Sequence, residues 1–165
     1  MTEGLDERAQ FRLRAAKDDD YPFALALYID GSARLLKEIG RWNQTRILSR
    51  FKRAYKLGDG RIIIVDGEDV GWIQVVDFVG QLYLRQLHLI ARAQGHGIGT
   101  RLIEDLQARG TSLGKPVTLD VIHGNRAKEL YVRLGFRPIR ANRDKTRMLW
   151  RTPRAGRARP VSAAC

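Results

Sequence analysis

Seven residues, Gln94-Gly95-His96-Gly97-Ile98-Gly99-Thr100, carry the strongest chemical signal in the chain. Glycines at alternate positions let the backbone reach conformations barred to other residues and leave no side chains in the way. Several N–H groups can then converge on one point. Where a helix follows, its unpaired first donors and its dipole favour an anion such as a phosphate or pyrophosphate. The plain alternative is a tight strand-to-helix connection with glycines for clearance. Two familiar phosphate loops fit poorly. A P-loop needs Gly-Lys-Ser/Thr, and Gly114-Lys115 is followed by Pro116. A dinucleotide fingerprint wants a third glycine at position 100, which holds Thr100, and its ribose-binding acid would be Asp120, in mid-strand.

The loop needs a strand before it and a helix after it. Leu82 to Ile90 alternates as a strand, and Leu102, Ile103 and Leu106 recur as a helical face, with Gly110 and Gly114 marking the end. Upstream, Phe11 to Ala15 reads as a strand, and Asp18-Asp19-Asp20 supply an N-cap and first-turn acids for a helix stopping near Gly31. Leu35, Leu36, Ile39 and Trp42, then Ile47, Leu48, Phe51 and Tyr55, recur at helical spacing, with breaks at Gly40 and Asn43. Ile62 to Asp66 and Val70 to Val79 join Leu82 to Ile90 as an antiparallel meander, with turns at Gly67 and Gly80. Pro116 to Ile122 is a strand. Ala127, Leu130, Tyr131 and Leu134 line a helix ended by Gly135, and Phe136 to Ile139 and Arg147 to Trp150 close the chain as strands. The order β-α-α-β-β-β-α-β-α-β-β predicts a mixed α/β domain with one crossover.

The 165 residues suffice for one domain and are too few for two. With 44% hydrophobic residues the chain can bury a core, which excludes disorder driven by charge alone. The longest aliphatic run, Ile62 to Val65, is far short of the ~20 residues of a membrane span. The polar segment Met1 to Arg8 lacks the apolar stretch of a secretory signal, so a cytoplasmic protein with no membrane partner is expected. Cys165 is the sole cysteine, which excludes an intrachain disulfide and a cysteine-held zinc; no metal is expected. The net charge of +12 is concentrated. Ser32 to Lys56 carries Arg34, Lys37, Arg41, Arg46, Arg50, Lys52, Arg53 and Lys56 against Glu38 alone, and the tail carries Arg154, Arg157 and Arg159 with no acid. Such a surface concentrates anionic partners. Residues 1–10 are expected to be flexible, 11–151 to form the domain, and 152–165 to be a basic, disordered tail.

Gln94-x-x-Gly97-x-Gly99, preceded by Leu87-His88-Leu89 and followed by a helix, resembles the acyl-CoA loop of the GCN5-related N-acetyltransferases. Asn125-x-Ala127-x-x-Leu130-Tyr131-x-x-Leu134-Gly135-Phe136 is similar to that family's second motif. The resemblance covers Leu82 to Arg137. It implies a single GNAT-like domain of mixed α/β class, with a central, mostly antiparallel twisted sheet and helices on both faces. Backbone amides of Gly95, His96, Gly97, Ile98, Gly99 and Thr100, led by Gln94, would hold the pyrophosphate of acetyl-CoA. Leu89 and Ile90 would pair their backbones with the pantetheine arm, because the family splays its fourth and fifth strands apart. Asn125 matches a residue that caps the next helix near the cofactor, and a plain N-cap is the equal alternative.

Tyr131 matches the position where the family often places a tyrosine near the CoA sulfur. A phenol with a pKa near 10 can protonate the departing thiolate and stays neutral at pH 7. The same spacing also serves a packed helix face. Where many relatives carry a glutamate that takes the acceptor's proton, this chain has Tyr83. His88 has suitable chemistry; Asp77, Glu38 and His123 are no better placed, and no base is assigned. The basic helices occupy the place of the acceptor site, either as a binding surface for an anionic acceptor or as a solvated face of Lys and Arg stems. The resemblance therefore implies an N-acetyltransferase acting on a primary amine by direct attack within a ternary complex, with a homodimer compatible with the family. Two alternatives stay open: a basic nucleic-acid-binding module, and a non-catalytic relative that binds acyl-CoA.

Overall fold

The computed structural model describes residues 10–153. The expected flexible start and disordered tail lie outside those residues, apart from Gln10, Thr152 and Pro153. The elements are β1 (Arg12–Ala15), α1 (Tyr21–Glu38), α2 (Gln44–Ala54), β2 (Gly60–Val65), β3 (Glu68–Phe78), β4 (Gln81–Leu89), α3 (Ile98–Leu113), β5 (Val117–Ile122), α4 (Ala127–Arg133), β6 (Arg137–Ala141) and β7 (Lys145–Trp150). The strands form one seven-stranded sheet in the order β1-β2-β3-β4-β5-β7-β6. All neighbours are antiparallel except β4 and β5, which are parallel because α3 carries the chain back between them. The mixed α/β class, the mostly antiparallel sheet and the order of elements are as expected.

Strand alternation sorts the core into two layers. Ile62 and Trp72 face α1 and α2, where they pack with Ala24, Leu27 and Phe51. Ile63 and Ile73 face the other way and join Leu102, Ile103 and Leu106 of α3 and Tyr131 of α4. Helices thus cover both faces. A buried Gln74 on β3 donates from Nε2 to the carbonyl of Ala54 at 2.6 Å, satisfying one of the open carbonyls at the end of α2.

The start of α1 is built differently from expectation. Asp18–Asp20 form a short 3-10 turn, and Asp20 does not cap forwards with its side chain. Its buried carboxylate instead reaches back to accept from the Lys17 amide at 2.8 Å and from both Arg14 Nη groups at 2.8 Å. Pro22 is tolerated in the first turn, where its missing N–H has no helical partner to lose. Gly31 does not stop the helix. α1 runs on to Glu38, and the break falls at Gly40, with φ +67°, followed by Asn43, whose side chain accepts from the Arg46 amide at 2.9 Å and starts α2. Gly110 likewise lies inside α3, which ends at Gly114.

Candidate active site

β4 and β5 pair over three positions, Leu82↔Val117, Tyr83↔Thr118 and Leu84↔Leu119, and then separate. β4 continues to Leu89 and β5 to Ile122, so a gap opens between them. The cause lies in β4 itself. Its register against β3 slips between Leu84 and Gln86, leaving Arg85 as a bulge that bends the strand away from β5. Beyond the bulge, the Ile90 amide donates to Val70 at 2.9 Å. In an antiparallel pair hydrogen-bonded positions alternate, so His88 also bonds to β3 while Leu87 and Leu89 turn their backbones into the gap. Leu89 therefore turns its backbone toward the gap, whereas the Ile90 amide is taken by Val70. Leu87 was absent from the expected residues, although a two-residue step back from Leu89 would have found it.

The glycine loop follows at the open end of β4. Gly95 and Gly97 take φ of +77° and +79°, and α3 starts at Ile98. Ile98 is buried and anchors the loop to the core, while Gln94, Gly95, His96 and Gly97 are exposed. Gln94 donates from Nε2 to the Leu89 carbonyl at 2.9 Å, fixing the loop against the strand end. The first helical bond is donated by Arg101 to Gly97. None of the amides from Gly95 through Thr100 donates to an acceptor among the described residues. These donors lie at the N-terminus of α3, just past the end of β4 that borders the strand gap. No Cβ contact crowds Gly95 or Gly97, whereas a Cβ on Gly99 would touch Leu130 of α4 at 3.7 Å.

α4 stands close to the loop through that contact. Tyr131 packs its ring against Phe136 at 5.8 Å within the α3-side core. Burial pushes its phenol up to about 12. The hydroxyl has no partner among the described residues, and the buried Trp72 indole N–H is likewise unpaired among them. Asn125 Oδ1 accepts from the Ala127 amide at 2.9 Å, so its side chain caps α4.

The opposite face of the sheet holds the polar residues. Tyr83 donates to Asp120 Oδ2 at 3.1 Å, and Arg147 clamps the same carboxylate with Nε and Nη2 at 2.8 and 2.7 Å. Arg147 holds Asp120 below the usual carboxylate range, and burial pushes the Tyr83 phenol up to about 12. Asp120 lies one residue past the last β4–β5 pair, and no sequence pattern marked it for this role. His88 is covered by Tyr28, its Nε2 lies 2.8 Å from Gln86 Oε1, and burial lowers its pKa to about 4. The other acids and histidine weighed as bases are engaged elsewhere: Asp77 with Lys115 and Arg109, Glu38 with Arg34, and His123 with the Asn142 carbonyl. Among the described residues no group of three His, Cys, Asp or Glu could hold a metal, and no helix is long and apolar enough to cross a membrane.

The parallel strand pair opens at a bulge, with free amides where the next helix begins, and the comparisons place this arrangement among known folds. Residues 58–138 match the acetyltransferase (GNAT) domain, a stretch running from before β2 through the start of β6. Residues 58–138 thus form a GNAT acetyltransferase domain. No curated protein matches the chain. Among solved structures, a PaiA N-acetyltransferase from Thermoplasma acidophilum in complex with coenzyme A superposes with TM-score 0.68 at 15% identity, covering 86% of this chain and 99% of that one. An acetyltransferase from Thermus thermophilus gives 0.66 at 17%, covering 88% and 99%. Ard1 from Thermoplasma volcanium gives 0.62 at 14%, covering 87% and 98%. At these identities the likeness establishes the shared fold.

Proposed function

We propose that the protein transfers an acetyl group from acetyl-CoA to a primary amine, by direct attack of the amine on the thioester in a ternary complex. The observation that carries this reading is the run of free amides from Gly95 to Thr100 beside the open β4–β5 gap. These amides supply donors for the pyrophosphate. The Leu87 backbone and the Leu89 amide face the gap and are open to an extended pantetheine arm as to a missing strand, while the Leu89 carbonyl is held by Gln94. The coenzyme A held by the Thermoplasma acidophilum structure supports the choice of ligand.

When the neutral amine attacks the carbonyl carbon, the C–N bond forms as the C–S bond breaks; the nitrogen sheds a proton to solvent, the leaving thiolate takes one, and solvent afterwards restores the donor. Tyr131 is the donor: burial keeps its phenol protonated across the working pH range, and its hydroxyl has no partner among the described residues. The rest of the rate comes from holding the two reactants together. Calorimetric titration with acetyl-CoA, with NAD and a short RNA as controls, tests the reading. Micromolar binding of acetyl-CoA alone supports it. RNA binding without acetyl-CoA binding would replace it with a nucleic-acid module.

A further inference from the structure

On the α1/α2 side of the sheet, beside the strand gap, three cations have no carboxylate partner among the described residues. Lys145 stands on β7 opposite Ile122, the last residue of β5, and two residues from Arg147, so both side chains share the face that carries Asp120. It is partly buried, and burial followed by the nearby Arg50 lowers its pKa. Arg50 is an exposed residue of α2 that precedes Phe51, whose ring stacks on Tyr28 of α1 at 5.0 Å, and its charge is felt at both the Tyr28 phenol and Lys145. Arg85 occupies the β4 bulge, with its guanidinium 5.8 Å from the centre of the Tyr83 ring.

The two carboxylates in this neighbourhood are already engaged. Asp120 is clamped by Arg147 and Tyr83, and Asp144 accepts from Arg41 at 2.8 Å. A solvated face explains the exposed stems of Arg46, Lys52 and Arg53 on α2. It does not explain Lys145, whose ammonium is withdrawn toward the sheet with cations around it and no free acid. Holding Lys145 half-buried beside like charges is unfavourable unless an anion arrives to satisfy it.

We infer that Lys145, Arg50 and Arg85 form an anion-binding subsite, so that the acceptor carries a carboxylate or phosphate group beside its amine. The inference rests on the proposed acetyl transfer for its meaning, since this face borders the gap where the thioester would lie. A small acceptor is favoured over a polyanion because Lys145 and Arg85 stand on the strands themselves rather than along an outer helical stripe.

Two measurements decide it. With saturating acetyl-CoA occupying the loop, inorganic phosphate is titrated against the wild type, Lys145→Gln, Arg50→Gln and Lys145→Arg, following the melting temperature. Phosphate should stabilise the wild type and Lys145→Arg, and its apparent affinity should fall on the order of tenfold or more in the two glutamine variants. Thiol release is then compared for matched acceptors, β-alanine against β-alaninamide and phosphoethanolamine against ethanolamine. The anionic member of at least one pair should show kcat/KM higher by roughly tenfold to a hundredfold, a preference that Lys145→Gln removes. Equal turnover within both pairs overturns the inference, as does phosphate binding indifferent to Lys145. Tight RNA binding with no response to phosphate also overturns it, in favour of a polyanion surface. Should acetyl-CoA fail to bind, the proposed function falls, and the difference between wild type and Lys145→Gln toward phosphate alone still decides the subsite.

Discussion

Gly31 and His88 meet where α1 crosses β4: a Cβ on Gly31 would lie 2.7 Å from Nδ1 of the His88 ring. The ring is held from two other sides, edge-on to Tyr28 with 5.9 Å between centroids, and by Gln86 Oε1 at 2.8 Å from Nε2. The glycine is thus a clearance point that lets the helix lie close to the strand, and His88 is a packing residue beneath it.

That relationship sets two effects against each other in Gly31→Ala. Alanine gains about 1 kcal/mol of helix propensity, while crowding a filled site costs about 1–3 kcal/mol. The crowding should win, for a net loss of about 1 kcal/mol in urea unfolding. In a His88→Ala background the same substitution should change sign and stabilise. Stabilisation by Gly31→Ala alone would show that the ring moves aside freely.

Gly31 also shows where sequence reasoning stops. Glycine reads as a helix stop because of its entropy, and Gly40 and Gly114 behave that way, at φ +67° and +65°. Gly31 and Gly110 sit inside helices because something else comes close: the His88 ring, and the Lys115 carbonyl 2.7 Å from a Cβ on Gly110. Those neighbours are distant in sequence or fixed by the turn that follows, and no local pattern announces them. The glycine loop was legible because its signal is local: alternate glycines between a strand and a helix. The gap beside it was expected only through family resemblance, because the Arg85 bulge that opens it is a matter of register. Lys145 comes to stand beside the end of β5 because β7 inserts between β5 and β6, a placement that composition and spacing do not encode.

The loop can be tested by separating backbone strain from access. Gly97→Ala forces a side chain into a left-handed conformation, at a cost of about 1–2 kcal/mol. It should lower both stability and acetyl-CoA affinity. Gly99 lies within α3 and has no positive φ, and a methyl there would make an ordinary contact with Leu130. Gly99→Ala should leave the melting temperature unchanged or higher. Its acetyl-CoA affinity, measured by calorimetry, should nonetheless fall if the amides are approached as closely as a pyrophosphate requires. Unchanged affinity in both variants would remove the loop from ligand binding.

Asp20 and Arg14 predict an acid-sensitive hinge between β1 and α1. Hydrogen bonds from Arg14, with help from the Lys17 amide, hold the Asp20 carboxylate below its usual range. A carboxyl whose native pKa is depressed stabilises the fold above the unfolded value, near 3.9, and loses that contribution as pH falls through the lower native value. Asp20→Asn should therefore cost about 1–3 kcal/mol at pH 7. The gap between the two proteins should close progressively below pH 4 in urea unfolding. A gap independent of pH would assign the loss to packing rather than charge.

Tyr131 is the sharpest test of the chemistry, because its ring and its hydroxyl have separate duties. The ring belongs to the core with Phe136, and phenylalanine preserves that contact. The hydroxyl has no protein partner among the described residues, so Tyr131→Phe should change stability by less than about 1 kcal/mol. It should leave acetyl-CoA affinity intact while lowering kcat by on the order of a hundredfold, the usual yield of one proton donor. The pH profile adds a second readout. A phenol pushed up to about 12 stays protonated where an ordinary tyrosine would be half ionised, near pH 10. Wild-type kcat should therefore show no fall near pH 10 from loss of this proton. A variant with unchanged kcat would leave Tyr131 a core residue, and protonation of the thiolate would pass to solvent.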